Sequence, residues 1–126
     1  MTNNAVCWFE IYVQDMKRAQ SFYESVLRVS LDKLTPPDSV ELEMMAFPMN
    51  MDRPGACGAL VKMTGFPSGG NSTLVYFDCS DCAEVASRVV AAGGRIQREK
   101  MAIGEYGFIV LAFDTEGNMF GLHSMK

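Results

Sequence analysis

The sequence predicts an α+β fold of two tandem βαβββ modules that share one core, with a cleft formed between their sheets. Three observations carry this expectation. The stretch Trp8-Phe9-Glu10-Ile11-Tyr12-Val13-Gln14-Asp15, followed by a helical pattern over 16–27, returns 66 positions later as Leu74-Val75-Tyr76-Phe77-Asp78-Cys79-Ser80-Asp81, followed by a helical pattern over 82–92. Each helical pattern gives way to three strand-like runs separated by turn residues. A chain of 126 residues with 48% hydrophobic content suits a single domain with one sizeable core, so the two halves must share it. Module one spans 1–63, a linker 64–72 and module two 73–126.

In the first strand Phe9, Ile11 and Val13 are wholly apolar, whereas Trp8, Glu10 and Tyr12 on the opposite side carry polar tips. That is the period-two pattern of a strand with one face packed on a helix. Asp15 stands where a carboxylate can accept from the orphan N–H groups of a helix, and Ala19, Phe22, Tyr23 and Val26 recur at helical spacing as its buried stripe. Strand-like runs follow at 29–33, 40–47 and 59–63, broken by Pro36-Pro37-Asp38 and Asp52-Arg53-Pro54-Gly55. The linker holds three glycines, Pro67 and two serines. In the second module Val75, Phe77 and Cys79 form the apolar face. Asp81 with Glu84 three residues on makes a capping box for a helix with Val85, Val89 and Ala92 on its apolar side, and Gly93-Gly94 ends it. Runs at 95–99, 108–113 and 119–124 follow, with Gly104-Glu105-Tyr106-Gly107 and Thr115-Glu116-Gly117-Asn118 as turns.

The balance of 11 basic against 15 acidic residues gives a formal charge of -4, and no window gathers the cations into a stripe, which argues against nucleic acid as a partner. No charged start precedes an apolar run and the apolar runs are strand-length, so neither a signal peptide nor a membrane span is expected and a cytoplasmic location is. In that setting the four cysteines are read as free thiols. Cys79 and Cys82 have CxxC spacing, which suits redox exchange or half a zinc site, but no second pair completes a zinc site. The simpler reading has Cys79 ending a strand and Cys82 opening a helix. No Ser-His-Asp or Cys-His spacing and no phosphate-cradling glycine loop occurs.

The repeated unit, with an aspartate closing its first strand, Phe22-Tyr23 in its helix, Gly58-Ala59-Leu60-Val61, and the Asp114 to Asn118 turn before the last strand, resembles the vicinal oxygen chelate superfamily. That superfamily includes glyoxalase I, extradiol dioxygenases and the bleomycin and fosfomycin resistance proteins. The chain is most similar to its small glyoxalase-like proteins of unassigned activity. The resemblance covers essentially the whole chain and implies a fold in which the two modules' sheets curl around a concave cleft, often completed by a homodimer, without supplying a reaction. It also implies a divalent metal held by one His or Glu from the first and last strands of each module. The matching positions here hold Trp8, Ala59, Leu74 and Gly121, none of which can ligate, so no metal is expected there.

Two polar residues lie one strand period away, Glu10 and His123, the only histidine, and both are expected on the concave side. If the protein is catalytic, Glu10 is the general base, with a pKa raised by apolar surroundings, and His123 or Tyr106 orients the substrate or donates a proton. Alternatively Glu10 and His123, with Glu43 and waters, hold a divalent metal. Against both stands a hydrogen-bonded, idle histidine near the end of an edge strand, whereas Glu10 inside an apolar strand needs solvent or a partner. Trp8, Tyr12 and Tyr76 either line an aromatic pocket with Glu10 or are plain core. Tyr106 sits either on a mobile rim or in a solvated hairpin. The expected function is binding of a small organic molecule in an aromatic cleft, with a lyase or isomerase type of proton abstraction beside a carbonyl as the chemistry. The competing expectations are stoichiometric sequestration of a ligand, as in the resistance proteins, and a cleft that serves only as a dimer surface.

Overall fold

Asp15 starts the first helix as the sequence requires: its side chain accepts from the N–H of Arg18 at 3.1 Å and opens α1 (Met16–Leu27) directly after β1 (Val6–Tyr12). The computed structural model describes residues 4–36, 41–52, 54–69, 73–115 and 117–126. Val40, the Pro37-Asp38 part of the first break, Arg53, residues 70–72 of the linker and Glu116 lie outside the described residues. The chain forms two compact units, Trp8–Thr73 and Met1–Cys7 with Leu74–Lys126, called here the first and second units.

In the first unit β2 (Asp32–Leu34), β3 (Glu43–Ala46) and β4 (Cys57–Lys62) follow α1. β2 and β3 pair antiparallel, as do β3 and β4, while β4 returns parallel to β1 with Glu10 opposite Ala59 and Tyr12 opposite Val61. β2 starts later than the run at 29–33 suggested, because the N–H of Leu31 is taken by the Glu24 carboxylate at 2.8 Å rather than by a neighbouring strand. The core gathers Val13, Leu31 and Leu60, with Ile11, Met16, Ala19 and Tyr23 packed against it. Two members of the expected helical stripe are therefore misplaced. Phe22 is 57% and Val26 61% exposed: the side chains that pack on the core are Met16, Ala19 and Tyr23, from which Phe22 lies about 60–120° around the helix, and Val26 sits in the last turn. α1 ends with Arg28 in the left-handed conformation at φ 55°.

The second unit repeats the order with β5 (Thr73–Asp78), α2 (Cys82–Ala86), β6 (Arg95–Ala102), β7 (Phe108–Phe113) and β8 (Met119–Ser124). β6 and β7 are antiparallel, β7 and β8 antiparallel, and β8 returns parallel to β5. Asp81 caps α2 by accepting from the N–H of Ala83 at 3.0 Å. The helix stops at Ala86 instead of running to Ala92. Ser87 donates its hydroxyl to the carbonyl of Glu84 at 2.6 Å, the Val89-Val90 pair resists helical packing, and the backbone continues in turns to Gly93, at φ 104°. Cys82, Ala86, Val110 and Leu122 form this unit's core. The buried Ser124 hydroxyl accepts from the N–H of Cys82 at 2.9 Å and so ties the start of α2 to β8. None of the described helices is long and apolar enough to cross a membrane.

Candidate functional site

In the first unit the alternation of β1 sends Phe9 and Ile11 toward the helix and Trp8, Glu10 and Tyr12 to the other face. Glu10 is only 8% exposed. The hydroxyl of Tyr12 donates to its Oε1 at 2.7 Å and the indole Nε1 of Trp8 donates to its Oε2 at 3.1 Å. The carboxylate is thus an oriented acceptor set between two aromatic rings. Tyr12 is itself held. Its ring stacks on Phe66 with centroids 5.0 Å apart, its carbonyl accepts from Ser68 at 2.8 Å, and Gln14 donates to the Phe66 carbonyl at 3.0 Å. The loop after β4 therefore braces the end of β1. Glu43 stands away from this group, on β3, facing Lys62 at 3.9 Å.

The same strand has an apolar hollow of about 430 Å³ on its helix side, walled by Phe9, Ile11, Tyr23, Leu27, Val29 and Phe47. Gly58 is required there, since a Cβ would sit 2.5 Å from the Phe9 ring. This hollow lies on the face of β1 opposite Glu10, where the sequence pattern signals only core. The exposure of Leu27 at 52%, at the open end of the α1 line, is what an unfilled end of that line leaves.

In the second unit Tyr76 is buried at 6% exposure, and its ring lies across Gly121, where a Cβ would come within 2.2 Å. His123 is not on an edge strand: β8 is paired on both sides, with β5 and β7. Its Nε2 donates to the carbonyl of Tyr106 at 2.6 Å, which in the neutral ring places the lone pair on Nδ1. Tyr106 ends a short 3-10 turn, Gly104–Tyr106, and is 52% exposed. It meets His123 through its backbone rather than its phenol.

Beside His123 the structure brings together two residues that the sequence reading missed. One ligand atom each of Cys7, Asp78 and His123 lie within 4.8 Å of one another. Asp78 and His123 are register partners on parallel strands, and Asp78 donates its N–H to the Ala5 carbonyl at 2.9 Å. Burial, with the Asp78 charge second, pushes the Cys7 thiol up to about 11. Burial likewise raises Cys79. The four thiols are free, and Cys82 is fully buried in the core, so the CxxC spacing serves packing.

A metal at the family's usual positions does not fit these residues. Ala59 and Leu74 offer only hydrocarbon and are buried, Gly121 has no side chain and no room for one beneath Tyr76, and the Trp8 indole is a donor already directed at Glu10.

None of the curated proteins matches the sequence significantly. Among solved structures, the chain is similar to the methylmalonyl-CoA epimerase of Streptomyces coelicolor in complex with 2-nitronate-propionyl-CoA, with 14% identity, 98% of each chain covered and a TM-score of 0.71. It is also similar to the methylmalonyl-CoA epimerase of Mycobacterium tuberculosis, with 15% identity over 97% of this chain and 88% of that one at a TM-score of 0.69. A hypothetical protein of Bacillus halodurans matches at 14% identity, 99% and 96% coverage and a TM-score of 0.70. At these identities the likeness establishes the fold, with its two βαβββ modules. A family model matches residues 5–122, and the chain belongs to the Glyoxalase/Bleomycin resistance protein/Dioxygenase superfamily.

Proposed function

We propose that the protein binds a small organic molecule against the Trp8, Glu10 and Tyr12 face of β1, and that Glu10 moves a proton on it in a lyase or isomerase type of reaction. The observation that carries this reading is the carboxylate itself, buried to 8% exposure and aimed by one donor on each oxygen. Burying such a group costs several kcal/mol, and packing alone would be served by an apolar residue at that position. A carboxylate fixed among aromatic rings is the group that proton abstraction beside a carbonyl uses. The similarity in fold to methylmalonyl-CoA epimerases supports an isomerase type of reaction.

A second reading, ligand binding without turnover, is favoured by one feature: both Glu10 oxygens already accept hydrogen bonds, which suits an anchor as well as a base. Proton NMR in deuterated buffer separates the two, with methylmalonyl-CoA and short α-substituted carbonyl acids as probes. Loss of the α-hydrogen signal with the native protein, and not with Glu10→Gln, supports proton transfer. Saturable line broadening without exchange supports binding alone, and neither effect with any probe sinks both readings. A homodimer in the cytoplasm completes the proposal, and light scattering at the eluting peak gives the mass that checks the dimer.

A further inference from the structure

Cys7, Asp78 and His123 are a thiol, a carboxylate and an imidazole drawn from three separate stretches of chain, yet their ligand atoms all fall within 4.8 Å of one another. The fold sets this convergence. Asp78 and His123 are partners across the parallel β5–β8 ladder, so their side chains rise from one face. The hydrogen bond from the Asp78 N–H to the Ala5 carbonyl, at 2.9 Å, and the contact of Cys7 Sγ with the Tyr76 carbonyl, at 3.7 Å, bring the start of β1 to the end of β5.

We propose that Cys7, Asp78 and His123 bind one divalent transition-metal ion of the zinc type. None of the three occupies the positions at which the family's metal would be held, and the site does not rest on the Glu10 reading. Thiolate, imidazole and carboxylate together are the donor set of zinc, and three protein ligands leave a fourth tetrahedral position for water. A metal-bound imidazole ordinarily donates its second N–H to a carbonyl or carboxylate, and His123 does so through Nε2 to Tyr106 at 2.6 Å, which leaves Nδ1 to ligate. Donor atoms around zinc sit roughly 3.3–3.8 Å apart, given bonds of about 2.0–2.3 Å, about 1 Å below the upper bound that the structure sets on the three donors.

Cobalt substitution of the full chain, reduced and freed of metal by chelator, tests the site. The native protein is expected to take up cobalt in a one-to-one ratio, with a thiolate-to-cobalt charge-transfer absorption that zinc abolishes by displacement. Cys7→Ser and His123→Ala should lose the absorption, while Glu10→Gln and Cys57→Ser keep it. Absence of the band in the native protein overturns the proposal. So does a band that survives Cys7→Ser but is lost in Cys79→Ser or Cys82→Ser. Should a variant fail to fold, alkylation mapped by mass spectrometry on the native chain decides: zinc must slow modification of Cys7 several-fold and leave Cys57 unchanged, and equal rates at Cys7 with and without zinc contradict the site.

Discussion

The hydroxyl of Tyr12 donates a 2.7 Å hydrogen bond to the carboxylate of Glu10, a residue two positions earlier on the same strand. Same-face neighbours on a strand meet in this way only when both side chains lean along it. Tyr12 is 8% exposed, and its ring is fixed against Phe66. Tyr12→Phe keeps the ring and removes the donor. The expected loss is about 1.5–3 kcal/mol, the range for a hydrogen bond to a charged group, read as a lower urea midpoint with an unchanged slope. An unaltered midpoint would show that the hydroxyl does not hold Glu10.

Arg28 closes α1 at φ 55°, a conformation that costs a residue with a Cβ about 1–2 kcal/mol, against about 0.5–1 kcal/mol for the extra unfolded freedom of glycine. Arg28→Gly is therefore expected to stabilise the protein by up to about 1 kcal/mol. A lower thermal midpoint for the variant would mean that Arg28 makes a compensating contribution.

Gly121 and Tyr76 are register partners on β8 and β5, and the ring occupies the space where a Cβ would go. Gly121→Ala is expected to cost about 1–3 kcal/mol through overpacking. Combining it with Tyr76→Val should recover part of that loss, giving a coupled rather than additive double-mutant cycle. Strict additivity in chemical denaturation would contradict the contact.

Lys100 bonds to Asp81 at 3.1 Å, and this bond first, then the Ala83 N–H, holds the Asp81 carboxyl below the usual aspartate range. Because the folded-state value is the depressed one, the contribution is present above the unfolded value of about 3.9. It is lost as pH falls through the folded value. Lys100→Gln should move the Asp81 titration, followed by carboxyl NMR, upward toward the ordinary range. A titration that stays in place would assign the shift to the helix cap alone.

The parts of the fold fixed by local chemistry were legible in the sequence. The bounds of α1 follow from Asp15 as cap, and β7 and β8 lie where alternation and the flanking turns put them. What failed depended on competition. The second helix stops at Ala86 because Ser87, Val89 and Val90 act against a pattern that by spacing alone runs on. Phe22 and Val26 stay exposed because only packing decides which 100° of a helix meets the sheet. That Trp8, Glu10 and Tyr12 share one face of β1 was readable from strand alternation. The cluster of Cys7 and Asp78 with His123 was not, since no spacing in the sequence shows that residues 7, 78 and 123 meet.

Whether Glu10 is the group that meets the ligand is decided by saturation-transfer NMR on native protein and Glu10→Gln, with methylmalonyl-CoA and short α-substituted carbonyl acids as probes. Saturable transfer to at least one probe is expected on the native protein, with affinity about 10-fold or more weaker on Glu10→Gln, as when a hydrogen bond to a charged group is lost, and the circular dichroism of the two proteins unchanged. Equal transfer on both proteins would contradict that role.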